Sequence, residues 1–145
     1  FTNITESNYE SAYNNMVYSK ETLNDGNIIE KNIRYANEKS NQKLLNANLT
    51  GVPLEAEIKR NGKIIGKTET KMDDPATLFP TSVLTYNKQN QNTAKKVSFD
   101  NYDDKGNLQE SRAENGIPTA TVWGYHQTLP IMKITGATYS ELSNL

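Results

Sequence analysis

No cysteine occurs among the 145 residues, which excludes a disulfide framework, a thiolate zinc knuckle, an iron–sulfur cluster and a thiol nucleophile. The absence leaves the redox compartment open. Histidine and tryptophan occur once each, at His126 and Trp123, so a metal site built on several histidines is excluded. No run approaches the roughly 18 consecutive apolar residues of a membrane span, and no apolar signal core stands at the N-terminus. An excess of positive charge is also missing: 16 Lys and Arg stand against 17 Asp and Glu. That balance argues against a nucleic-acid surface, which needs concentrated Lys and Arg. Hydrophobic residues make up 34% of the chain, against a usual share of about 45–50% counting Gly. The core is therefore expected to be small and flat, or to be completed by an absent partner. Since the sequence opens at Phe1 and closes at Leu145, the expectation is a single β-rich module spanning residues 1–145, cut from a longer polypeptide.

What is present favours strands. Residues 81–86, 96–99 and 120–123 are short runs of β-branched and aromatic side chains bounded by turn residues. Asn61-Gly62 separates residues 54–60 from 63–69, and this dipeptide takes the positive φ angles of a tight hairpin. Residues 24–27 play the same part between 17–23 and 28–35, and residues 104–107 and 114–116 continue the series. Four of the five prolines, Pro53, Pro80, Pro118 and Pro130, follow an apolar residue and precede a β-rich run. Proline suits the start of a strand because its missing N–H need not join the ladder. Helix is expected only at residues 8–15 and 139–142. The predicted fold is all-β, an antiparallel meander of uneven hairpin units forming one curved sheet or partial shell. Unpaired strand edges in such an array seek partners, and residues 97–99 or 131–134 are the expected contacts with another chain or a second copy.

The run Tyr102-Asp103-Asp104-Lys105-Gly106-Asn107-Leu108 resembles the signature of the YD-repeat, or RHS-repeat, family of bacterial surface and secreted proteins. The resemblance continues through residues 114–118, Trp123-Gly124-Tyr125, Leu129-Pro130-Ile131 and residues 137–140, and covers roughly residues 97–142. It implies hairpins joined into a long curling sheet that encloses or presents other parts of the protein, and a secreted or cell-surface location. Members that cleave themselves use an Asp-Pro-x-Gly motif. The single Asp-Pro here, Asp74-Pro75, is followed by Ala76-Thr77, so self-cleavage is not carried over. The motif also has a mechanical reading. Tyr102 packs flat on the sheet, Asp103 bonds turn amides, Gly106 supplies positive φ, and Leu108 begins the return strand after Asn107.

No residue pattern points to catalysis, a metal or a cofactor. His126 stands alone, and a surface histidine is far commoner than a catalytic one. Asp100, Asp103 and Asp104 miss the spacing of a calcium loop, because Tyr102 and Lys105 occupy ligand positions. Asp73 and Asp74 are adjacent on an extended chain, where their side chains point apart. The candidate binding group is Trp123, Tyr125 and His126, since flat aromatics stack on sugar faces. Against it, Trp123 and Tyr125 share strand parity and would both anchor one face of the sheet. Two functions follow: a structural module of a longer chain, or a surface module that binds a glycan or a protein.

Overall fold

The computed structural model describes residues 3–88 and 94–144. Among them, chain order gives β1 (Ile4–Tyr9), β2 (Met16–Thr22), β3 (Ile28–Arg34), α1 (Gln42–Asn46), β4 (Glu55–Arg60), β5 (Lys63–Lys71) and β6 (Ser82–Tyr86). Then follow β7 (Ala94–Tyr102), β8 (Leu108–Arg112), β9 (Pro118–Gly124), β10 (Leu129–Thr135) and α2 (Tyr139–Ser143). The hydrogen-bonded order of the ten strands is their order in the chain. The fold is thus an all-β antiparallel meander, as the turn chemistry predicts. No helix among the described residues is long and apolar enough to cross a membrane. The chain packs as two compact units, one of residues 3–71 with 84–88 and 94, the other of residues 72–83 with 95–144.

In the first unit the Asn61-Gly62 hairpin joins β4 to β5 with φ of 49° and 77°, which both central residues of a type I′ turn require. The β3–β4 connection is longer. Its α1 inserts Leu44, fully buried, and is capped by Asn41, whose side chain accepts the Leu44 N–H at 3.2 Å. Ile33, Tyr35, Ala36 and Leu54 complete this small core. The Tyr35 hydroxyl donates to the Met16 carbonyl, and the Asn15 amide donates to that of Thr50, so the connection is tied back to the start of β2. The helix expected at residues 8–15 is not formed. Residues up to Tyr9 pair with β2, and the following turn is held by Glu10, whose carboxylate accepts N–H groups from Ala12, Tyr13 and Asn15. Cross-strand pairing and this local carboxylate turn outcompete a segment without an apolar stripe.

In the second unit β7 to β10 pair in sequence, with bulges beside Asn101 and at Ile131. The helix expected at 139–142 is α2, opened by a capping box between Thr138 and Glu141. It packs against β9, where Ala120 is fully buried. Pro118 opens β9, Pro130 is the second residue of β10, and Pro53 and Pro80 stand two residues ahead of β4 and β6. Of the two segments expected at an open edge, residues 97–99 are not at one. β7 lies between β6 and β8, and the Phe99 N–H donates to the Thr81 carbonyl at 2.9 Å. Residues 131–134 do belong to an end strand, β10.

Candidate functional site

The loop joining β7 to β8 is a three-residue hairpin turn closed by a glycine bulge. The Asp103 N–H donates to the Asn107 carbonyl at 3.0 Å, and the Gly106 N–H donates to that of Asp103 at 3.1 Å. Asp103 Oδ1 accepts the Lys105 and Asn107 N–H groups at 2.9 and 2.8 Å, and Oδ2 accepts the Asn107 side-chain amide at 2.9 Å. Slight burial pushes the Asp103 carboxyl up, but these bonds outweigh it and hold it below the usual range. The Tyr102 ring stacks on Phe79 with centroids 4.9 Å apart, and its hydroxyl donates to the Pro80 carbonyl at 2.7 Å. Burial raises that phenol above its ordinary value. Gly106 has φ of 83°, and a Cβ there would lie 2.7 Å from the Phe79 ring. Conformation and space both demand glycine. Leu108 opens β8, and its carbonyl accepts the Trp123 indole N–H at 2.9 Å.

Trp123, Tyr125 and His126 do not form one aromatic face. The expected shared parity of Trp123 and Tyr125 fails because β9 ends at Gly124, and Tyr125, His126 and Gln127 turn left-handed with φ of 51°, 59° and 62°. Trp123 is half-buried and fixed by its bond to Leu108, whereas Tyr125 is 73% exposed. Left-handed backbone costs roughly 1–2 kcal/mol per non-glycine residue, so something must hold three in succession. Thr128 closes the turn, its N–H on the Gly124 carbonyl and its hydroxyl on that of Tyr125. The motif turn supplies the rest: Lys105 Nζ donates to the His126 carbonyl, and the Asn107 side-chain amide to that of Gln127 at 2.8 Å.

The first unit repeats this joint. Between β2 and β3 the Leu23 N–H donates to the Asn27 carbonyl and the Gly26 N–H to that of Leu23, the pattern seen at Asp103, Asn107 and Gly106. Asn27 stands where Asn107 stands, after a glycine and before an aliphatic residue. It too reaches the next turn on that side, its side-chain oxygen accepting the Asn61 amide at 2.7 Å. Asn61 Oδ1 in return accepts the Ile28 N–H at 2.8 Å. The turn between β8 and β9 closes in the same way, Ala113 N–H to Ile117 carbonyl and Gly116 N–H to Ala113 carbonyl, without an asparagine at its end. The shared Gly-Asn-aliphatic step, Gly26-Asn27-Ile28 and Gly106-Asn107-Leu108, is the signal in the sequence that links the two joints.

A second polar cluster has no sequence signature. Glu55 on β4 faces Glu69 on β5, both nearly buried, and Lys39 Nζ bridges them at 3.0 and 2.9 Å. Burial pushes the Glu69 carboxyl up, but hydrogen bonds from Lys71, Lys39 and the Tyr86 hydroxyl overcome it and bring it to about 2. Beside the cluster lies an open groove of about 400 Å³, lined by Tyr18, Arg34, Glu38, Glu57 and Lys67 among others. Charges of both signs neutralise one another there. Among the described residues no group of acidic and histidine side chains is placed to hold a metal ion. Asp100 is spent on Arg112 at 2.7 Å, and Asp74 accepts the Ala76 N–H, so neither acidic run converges on a shared point. Comparison with family models, curated proteins and solved structures returns no match.

Proposed function

We propose that the chain is a structural β-hairpin module of a YD-repeat-like bacterial surface or secreted protein, a scaffold that encloses or presents other parts of a longer polypeptide. The observation that carries this reading is the joint built twice, in which an asparagine after a left-handed glycine fastens one hairpin turn to the next. Within the Tyr-Asp-x-x-Gly-Asn-Leu run, the polar side-chain atoms of Tyr102, Asp103, Lys105 and Asn107 bond their own turn, Pro80, His126 or Gln127. Such groups have mechanical work and no substrate to meet, which supports a non-enzymatic role.

The exposed Tyr125 ring favours a second reading, a module that binds a glycan or a protein through aromatics. An array of glycans probed with the full chain and with Tyr125→Ala separates the two. The scaffold reading expects no glycan above background and an unchanged melting temperature for the variant. Saturable binding that Tyr125→Ala abolishes would replace it with the binding module.

A further inference from the structure

Across the first four strands one row of side chains alternates in charge. Glu6 on β1 faces Lys20 on β2, Lys20 faces Glu30 on β3, and Glu30 faces Lys59 on β4. Cross-strand neighbours share a face of the sheet, so each inner member has an opposite charge on both sides. β1 is an end strand, and all six of its residues are exposed. The row therefore stops at Glu6 with its outer side open, and the alternation calls for a cation next. β10 is the other end strand, and its single charged residue is Lys133, which faces the neutral Thr121 on β9. Among the described residues neither Glu6 nor Lys133 takes part in an ion pair.

We propose that β1 of one copy pairs antiparallel with β10 of a second copy, with Glu6 opposite Lys133. In that register Ile4 meets Thr135, Thr5 meets Ile134 and Ser7 meets Met132. These four pairs are the stretch in which both strands are regular, because the register of β1 against β2 shifts only after Asn8, where Val17 of β2 is the extra residue, and the bulge in β10, at Ile131, falls before Met132. The contact covers Ile4, 61% exposed, and borders Ile131, 58% exposed. Charge also decides against like pairing, since β1 on β1 or β10 on β10 about the same centres sets Glu6 or Lys133 against itself. A contact between two different edges leaves one of each kind unused, so copies add head to tail, as an open chain or until a ring closes. This assembly is independent of the scaffold reading.

Sedimentation velocity of the full chain across a concentration series tests it. The expected result is a mass that grows above the monomer as concentration rises and falls with added salt. Glu6→Lys or Lys133→Glu alone weakens association about tenfold, as expected when an opposing charge pair becomes a like pair. An equimolar mixture of the two variants restores it, because each edge again meets its opposite charge. A monomer at every concentration, or association indifferent to both reversals and to salt, overturns the proposal.

Discussion

Gly106 shows how much one position carries. Its left-handed φ and the Phe79 ring at 2.7 Å from a would-be Cβ act together, whereas Gly116, at φ 79°, has nothing within 4 Å. Gly106→Ala is expected to lower stability by about 2–4 kcal/mol, combining backbone strain with overpacking. Gly116→Ala should lower it by about 1–2 kcal/mol, from strain alone. Urea denaturation of the two variants measures the difference, and equal losses would remove the Phe79 contact from the account. The turn residues were legible in the sequence because their chemistry is local: glycine for the left-handed angle, Asp103 for the amides two and four residues on. The path of the chain at Tyr125 was not. Three left-handed residues in a row are fixed by Lys105 and Asn107, about twenty residues distant, and no local pattern announces them.

Among the elements, β4 and β5 place two carboxylates opposite each other; Lys39 from the β3–β4 connection bridges both, while Arg34 and Lys67 flank Glu55 and Lys71 flanks Glu69. Lys39→Met is expected to destabilise the protein by about 2–4 kcal/mol, since it removes a shared partner from two nearly buried carboxylates. The pH dependence follows from Glu69, whose carboxyl lies at about 2 in the folded chain against about 4.3 unfolded. A lowered folded value means full stabilisation above the unfolded one and progressive loss as pH falls from about 4.5 to 2, on the order of 2–3 kcal/mol. Glu69→Gln should flatten that decline, as denaturation midpoints between neutral pH and pH 2 would record. A decline as steep in the variant as in the parent would assign the acid sensitivity elsewhere. Sequence reading could not find this cluster, because Lys39 and Glu69 are 30 residues apart and their meeting depends on how the connection folds. The helix α1 was missed for a related reason: five residues carry too little periodicity, and Leu44 earns its place only by burial. By contrast α2 forms where the sequence leads one to expect a helix, at residues 139–142, and the structure adds the capping box of Thr138 and Glu141 that opens it.

At the scale of the whole molecule, the low apolar content has its counterpart in a core of few buried side chains, with Leu44 and Ala120 each fully enclosed in its own unit. Such a chain relies on turns and polar joints to define its hairpins, and the account holds that one joint is used twice. Amide hydrogen exchange of the full chain, compared with Asn27→Ala and Asn107→Ala, tests this most directly because it reads every turn separately. Each substitution removes side-chain hydrogen bonds worth roughly 1–2 kcal/mol in sum. The account predicts that Asn107→Ala speeds exchange in residues 103–107 and 125–128 and leaves residues 23–28 and 61–62 unchanged, while Asn27→Ala does the reverse. Exchange that neither substitution alters, or that both alter throughout the chain alike, would contradict it.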